Sequence, residues 1–569
     1  MASVKPSAPG SPASVGTPEL PTPTHESTAP PCPVGSPAPG GRRRWLRRLR
    51  VGVGTLVLGA FLWIFTDAWE SVPPWLARGL ASTQFVPSLL AWAAGTGMAL
   101  AAASIVVASL LCGRVYCAVL CPLGLFQDAV WRLRQWLRPR KRLLYVPEAR
   151  KLRWGVFWIC AVGAVFTGGV TLAWLDPYSL FGRLGMQLLR PIVVWVGNEL
   201  TPLAHAVGWG HWYRVESLWH WGAATAVVLA MTAAILGLAA ARGRLYCNTI
   251  CPVGTLLGWL ARRARWRLEL SPALCRKCGE CLQVCKAQCI DLRRQALDYS
   301  RCILCLDCLA VCPERGVHFV TGRRTGPQGG SSPVPVPTST VGPSRRRFLL
   351  LFLALVSWPG RRSRASESAG TPEGAAPSVV PAASLSPACP PGSRSVSRFL
   401  RQCTACGLCV AACPTRVLQP AVLEYGPAGL LRPRMDYHKA YCNYECHRCG
   451  EVCPTGAIVP LPLEEKKLTK IGEVELTLDL CVVVTKGTDC VACSEHCPTQ
   501  AVFPKPYKDH LRVPAINPAL CIGCGACEFA CPVRPVRAIR VRGWAEHGRA
   551  EKWADTPAAA PAPREDFPF

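Results

Sequence analysis

The chain has 569 residues, half of them apolar, a formal charge of +29 and 33 cysteines. That length exceeds a single core, and a positive mean hydropathy places one part in lipid and another in water. The Lys and Arg lie beside apolar spans, and no basic run interleaves with aromatics, so the balance fits a membrane face and excludes nucleic acid as the partner.

Residues 1–41, rich in Pro, Ser, Gly and Thr, are expected to be disordered, with Cys32 incidental. The basic run Arg42–Arg50 follows as a cytoplasmic anchor, with no cleavable secretory signal expected before it. Four transmembrane helices are predicted near Val51–Phe65, Leu89–Cys112, Trp154–Leu175 and Leu218–Ala241. The first is the shortest and must borrow its flanks. Segment 113–153 holds ten Lys/Arg and 242–267 holds six, whereas 67–87 holds only Arg78 and 176–217 only Arg183, Arg190 and Arg214. The positive-inside rule then puts both ends of this unit in the cytoplasm.

An internal repeat marks the unit. Gly113-Arg114-Val115-Tyr116-Cys117-x3-Cys121-Pro122-x-Gly124 recurs as Gly243-Arg244-Leu245-Tyr246-Cys247-x3-Cys251-Pro252-x-Gly254. Pseudo-symmetry of two helix hairpins would bring Cys117, Cys121, Cys247 and Cys251 together as a metal site or as two redox dithiols. The plain alternative is two buried structural pairs. Only His220 falls in a predicted span, with His205 and His211 in the outer loop, so paired haem ligation is not expected. Asp176-Pro177-Tyr178 and Glu216, on the outer side, are candidates for handling quinol protons; solvated loop polar residues are the commoner case.

Residues 269–322 carry Cys275-x2-Cys278-x2-Cys281-x3-Cys285, then Cys302-x2-Cys305-x2-Cys308-x3-Cys312-Pro313. This is the bacterial two-cluster ferredoxin arrangement, in which the fourth cysteine of each run ligates the other cluster. Cys275, Cys278, Cys281 and Cys312 are thus assigned to one [4Fe–4S] cluster, and Cys302, Cys305, Cys308 and Cys285 to the other. Lys286 stands where proline usually follows, adding positive charge without removing a ligand. Residues 323–400 read as a linker. It is interrupted by Ser344-Arg345-Arg346-Arg347-Phe348-Leu349 and an apolar stretch ending at Trp358, which resembles an internal twin-arginine export signal at 344–358.

Residues 401–545 hold four more quartets. They are Cys403, Cys406, Cys409 and Cys413; Cys442, Cys446, Cys449 and Cys453; Cys481, Cys490, Cys493 and Cys497; and Cys521, Cys524, Cys527 and Cys531. Adjacent and nested exchange of the last cysteines are both open from spacing alone. Five of the six quartets end in Cys-Pro, which argues against zinc, whose sites commonly use histidine and wider spacing. Cys112, Cys160, Cys289 and Cys389 fit no quartet, and residues 546–569 read as a disordered tail.

The four spans, the two Cys-x3-Cys-Pro motifs and the two-cluster ferredoxin make residues 42–320 resemble the NapH-type membrane component of the periplasmic nitrate reductase system. Residues 344–540 resemble its NapG-type partner, and similar pairs occur in methylamine utilisation (the MauM type). The first half is also similar to membrane parts of nitrous-oxide reductase regulators and of copper-reductase-like oxidase assembly proteins. The resemblance implies a helical membrane domain with α+β ferredoxin-like domains, one two-cluster and one four-cluster. It implies a quinol dehydrogenase component in a bacterial inner membrane, carrying six [4Fe–4S] clusters and no haem. Electrons would pass from the quinone pool to a periplasmic cytochrome or reductase, with the first ferredoxin cytoplasmic and the second periplasmic, because a twin-arginine route accepts folded, cluster-loaded domains. The competing expectations are an assembly or copper-reducing factor, and clusters that merely staple the fold.

Overall fold

The computed structural model describes residues 41–95, 99–137, 145–208, 213–216, 222–321 and 387–552. The basic run and the first apolar stretch form one helix, Gly41–Thr66. The 23 residues Arg44–Thr66 and the helix Ala223–Arg242 are long and apolar enough to cross a bilayer, and about a third of each apolar window is buried. The span expected to be shortest is thus the longest, because Arg42–Arg50 continues the helix instead of preceding it.

The other two expected spans are broken. Leu89–Cys112 divides into Phe85–Ala93 and Ala99–Cys112, with Gly95 at φ 71° ending the first piece. Trp154–Leu175 divides into Arg150–Thr167 and Gly169–Leu175 at Gly168, whose φ is 64°. A β-carbon at Gly168 would lie 2.6 Å from the carbonyl oxygen of Arg401, so the break is where the second half of the chain approaches. Among the described residues only two helices pass as spans by length and composition. Arg150–Thr167 nevertheless exposes Ile159, Val162, Val165 and Phe166, an apolar face of the kind lipid covers.

The unit carrying the first two quartets includes a strand that starts at Trp266. Strand Trp266–Leu270 pairs antiparallel with Val317–Thr321, clasping both ends of the unit, and Ile290–Asp291 pairs with Ala296–Leu297 inside it. The second unit is longer than 401–545. Met435 N donates to Ala388 O and Val459 N to Gly392 O, so folded structure begins by residue 387. Strand Ile539–Arg549 pairs with Thr469–Leu476 and carries order past residue 545. The pairs Leu418–Pro420 with Pro433–Met435 and Val502–Pro506 with Arg512–Ile516 complete it. Of the terminus and tail expected to be disordered, Gly41 begins a helix and 546–549 end a strand, while 1–40, 553–569, the signal-like segment 344–358 and His220 lie outside the described residues.

The two cysteine-rich units sit at opposite ends of the helical unit. The first docks where the Cys-x3-Cys-Pro motifs lie: Arg47 reaches Asp307 at 2.8 Å and Arg244 N donates to Lys286 O at 3.0 Å. The second docks on the loops with few basic residues. There Arg183 donates to Ala405 O and Thr404 O at 3.0 Å each, and Arg448 pairs with Glu70 at 2.5 Å.

Candidate metal centres

A cubane of four irons needs four thiolates at its corners and a polar lining for its negative charge. The chain meets the first need by short loops. In four quartets the residues two and four positions after the first cysteine are left-handed: Lys277 and Gly279, Leu304 and Leu306, Ala405 and Gly407, Gly523 and Gly525. Non-glycine residues pay of order 1 kcal/mol or more for this conformation, so its repetition marks a shared demand. Alternating right- and left-handed residues turn successive N–H groups inward, the kind of concavity that lines many iron–sulfur sites. The quartets beginning at Cys442 and Cys481, with longer first gaps, lack this pattern, as their spacing requires.

The arrangement of the thiols bears on the pairing that spacing left open. A cleft of about 380 Å³ is lined by Cys275, Cys278, Cys281 and Cys312. Cys308 stands with Cys302, Cys305 and Cys285. In the second unit a cleft of about 330 Å³ is lined by Cys481, Cys490, Cys493 and Cys531. Cys527 stands with Cys521, Cys524 and Cys497. Cys409 stands with Cys403, Cys406 and Cys453, and Cys449 with Cys442, Cys446 and Cys413. This placement fits exchange between adjacent quartets, with the neighbouring cage's Cys281, Cys493 and Cys449 also within electrostatic range of Cys308, Cys527 and Cys409. Among the described residues no three His, Cys, Asp or Glu converge on a point as ligands of a single metal ion would.

Local partners fit the same chemistry. Cys413, Cys453 and Cys497 are each followed by Pro-Thr, and each sulfur lies 3.7 Å from that threonine's hydroxyl. The two pairs of cages in the second unit meet where Cys442 N donates to Cys524 O at 2.9 Å and Tyr437 donates to Gly523 O at 2.7 Å. Cys289, which the quartet pattern left out, lies 3.6 Å from Cys285, and this thiol pulls Cys285 toward thiolate. Cys389 is likewise buried, 3.4 Å from the Tyr425 hydroxyl.

The repeat of the helical unit closes as pseudo-symmetry predicts. Cys117, Cys121, Cys247 and Cys251 are all buried; Cys251 lies within electrostatic range of the other three, and Cys121 of Cys117 and Cys247. The two arginines cross over. Arg114 donates to Cys247 O at 3.1 Å, and Arg244 donates to Cys117 O at 2.8 Å. This explains the glycine of each motif: a β-carbon at Gly124 would lie 2.8 Å from Cys117 O, and one at Gly254 2.8 Å from Arg114 Nη2. Either glycine replaced by alanine is expected to cost about 1–3 kcal/mol through overpacking. Thermal unfolding with maleimide labelling of the four thiols measures it; unchanged stability and protection would count against the crossed arrangement.

Around this site lies a buried ion network. Asp128 accepts from Arg244 at 2.7 Å, Arg50 at 2.8 Å and Lys286 at 3.0 Å. Lys286 also reaches Asp307 at 3.2 Å. Burial by itself would raise the Asp128 carboxyl, but Arg244, Lys286 and Arg50 outweigh it and hold it well below the carboxylate range. The lysine that replaces the usual proline is thus the link between the first ferredoxin-like unit and the membrane cysteines. The basic run before the first span supplies its partners, a role that charge counting does not reveal.

Asp176 and Tyr178 are not solvated loop residues. Both are buried, and Asp176 caps the helix Pro177–Leu184 by accepting from Ser179 N at 2.9 Å and Ser179 Oγ at 2.7 Å. Tyr178 faces the loop of Cys406. Tyr116 and Tyr246 lie within electrostatic range of both Asp176 and the membrane cysteines. Buried polar groups therefore run from one ferredoxin-like unit to the other through the helical unit. Glu216 stays exposed, with Arg416 4.0 Å away.

Two family models match parts of the chain. A 4Fe-4S binding domain model matches residues 94–142 and 224–270, the two halves of the internal repeat. A 4Fe-4S dicluster domain model matches 402–457 and 486–534, each span ending after an exchanged cysteine. The methylamine utilization ferredoxin-type protein MauM of Methylophilus methylotrophus is 34% identical over 164 residues, 26% of this chain and 69% of MauM. The ferredoxin-type protein NapF of Escherichia coli K12 is 28% identical over 149 residues, 26% of this chain and 82% of NapF. The ferredoxin-type protein NapH of the same strain is 26% identical over 226 residues, 37% of this chain and 62% of NapH. No solved structure matches.

Proposed function

Because the chain belongs to the ferredoxin-type iron–sulfur proteins of the Mau and Nap kind, we propose that it is a membrane-bound relay taking electrons from the quinol pool to a periplasmic redox protein. The six cysteine cages would hold six [4Fe–4S] clusters, which supply one-electron carriers tunable over roughly −700 to +450 mV. The observation that carries the reading is their placement. Two cages lie at the cysteine-motif end of the helical unit and four at the opposite end, with Cys117, Cys121, Cys247 and Cys251 buried beside the first pair.

The chain's own residues set the conditions for transfer. The left-handed loops present N–H groups to the cages, and the Pro-Thr hydroxyls stand beside three of the exchanged cysteines. Lys286 and Asp307 hold the first unit against the helical unit, and Arg183 holds the second. The reading places the first unit in the cytoplasm and the second in the periplasm, supported by the Lys/Arg excess at one end only. The membrane cysteines, buried beside the first unit, would serve as a further redox site of two dithiols.

Anaerobic EPR on the purified protein, before and after a quinol analogue is added, tests the reading with iron measured in parallel. About 24 irons per chain with quinol-dependent signals are expected. Full loading with no reduction by quinol would remove quinol as the donor and favour a cytoplasmic donor or a maturation role.

A further inference from the structure

We infer that the cleft between the end of the first helix and the Cys413 loop is the headgroup site for a membrane quinol, an inference that rests on the relay reading above. The cleft has Ile64, Val72 and Leu408 on its apolar wall and Arg190, Glu70 and Cys413 on its polar side. It lies where the two halves of the chain meet, at the end of the Gly41–Thr66 helix. Tyr213 lines it, and Trp63 and Trp75 stand exposed nearby, the residue types that gather at a bilayer surface. A ligand with an apolar tail and a polar head reaches such a place from within the lipid.

Arg190 calls for that ligand. It is 7% exposed, and its Nε has no hydrogen-bonding partner among the described residues. A buried guanidinium N–H left unpaired is costly, and an oxygen on the bound head removes the cost. The carboxylates Asp67 and Glu70 on the same wall disfavour a phosphate headgroup, while the cage ligand Cys413 gives a redox-active head something to act on. Glu70 is left-handed at φ 56°, a conformation kept at a cost, and its half-exposed carboxylate pairs with Arg448, the residue before Cys449.

The reaction balances with these groups. Oxidation of quinol to quinone breaks two O–H bonds and releases two protons and two electrons. One proton goes to the Glu70 carboxylate and on to solvent, the other to water. The electrons would leave singly to a cluster that Cys413, Cys442, Cys446 and Cys449 would hold, and the proposed periplasmic redox protein would be the oxidant that accepts them.

The test uses the full-length protein in detergent, with a fluorescent hydroxyquinoline N-oxide as a quinol analogue that binds without reacting. Arg190→Gln is expected to weaken its binding about tenfold, the loss of one hydrogen bond from a charged donor, with Arg190→Lys in between. Iron content and the extent of cluster reduction by dithionite should stay at the wild-type level. Quinol-driven reduction should show the same rise in KM, whereas Glu70→Gln should lower kcat with little change in KM. A photoreactive quinone on the wild-type protein should label residues 64–77 or 408–416, which tests the site without relying on a variant. Analogue binding that ignores Arg190, labelling elsewhere, or displacement by anionic phospholipid but not by quinol would overturn the site. Arg190-dependent binding without cluster reduction by quinol would uphold the site and sink the relay reading.

Discussion

Cys531→Ser is expected to empty the cage built by Cys481, Cys490 and Cys493 while leaving that of Cys521, Cys524 and Cys527 loaded. Counted along the chain, Cys531 belongs to the last quartet. In space it closes the cleft lined by the preceding one. Cys497 does the reverse, standing with Cys521, Cys524 and Cys527. A serine hydroxyl is not a thiolate, so the affected cage loses a ligand and total iron should fall by about four from about 24. Cys497→Ser should remove a similar amount of iron with a different EPR signal. If each variant instead lost the signal of its own quartet, the adjacent exchange would be wrong. Because the four cages meet in two joined pairs, at Cys442 and Cys524, the lost signal should be one of a coupled set, not an isolated centre.

The second large effect is at Asp128. Four cations, Arg47, Arg50, Arg244 and Lys286, face two carboxylates, Asp128 and Asp307. The surplus of two positive charges suits thiolate cages close by. Asp128→Asn removes the carboxylate that three of those cations share, each with a side chain no more than 7% exposed. Breaking a buried ion pair from one side costs about 3–5 kcal/mol, because the partners stay buried without compensation. Thermal unfolding should show a loss of that order, with the first ferredoxin-like unit released before the second. Adding Lys286→Met should recover part of it, since one uncompensated cation goes. A native-like melting temperature for Asp128→Asn would refute the network as a docking device. The depressed carboxyl also sets a pH dependence. Its contribution is complete above about pH 4, where the unfolded carboxyl is ionised, and is lost as pH falls below that.

What could be read from residues alone was whatever depends on local spacing. Closely spaced cysteines point to cluster-binding loops, so the sequence offers all 24 quartet cysteines as candidate ligands, and the repeat around Cys117 and Cys247 points to a pairing of its own. Even the exchange in the first unit followed from a known two-cluster pattern. The last four quartets gave no such answer. Which cysteine closes which cage is a contact over some 40 residues of chain, as between Cys409 and Cys453, and spacing does not encode it. Helix breaks were hidden for a related reason. Gly168 looks like one more small residue in an apolar run until Arg401 is packed against it, some 230 positions further on. The same holds for charges. Arg47, Arg50 and Lys286 read as anchors or departures from a motif, because a charge declares its sign but not its partner. Only the docking of the first unit onto the helical unit turned them into one buried network with Asp128 and Asp307, and only the docking of the second buried Asp176, Tyr178 and Arg190. Local chemistry follows from neighbours in the chain, whereas desolvation and ion pairing depend on which distant surfaces exclude water together.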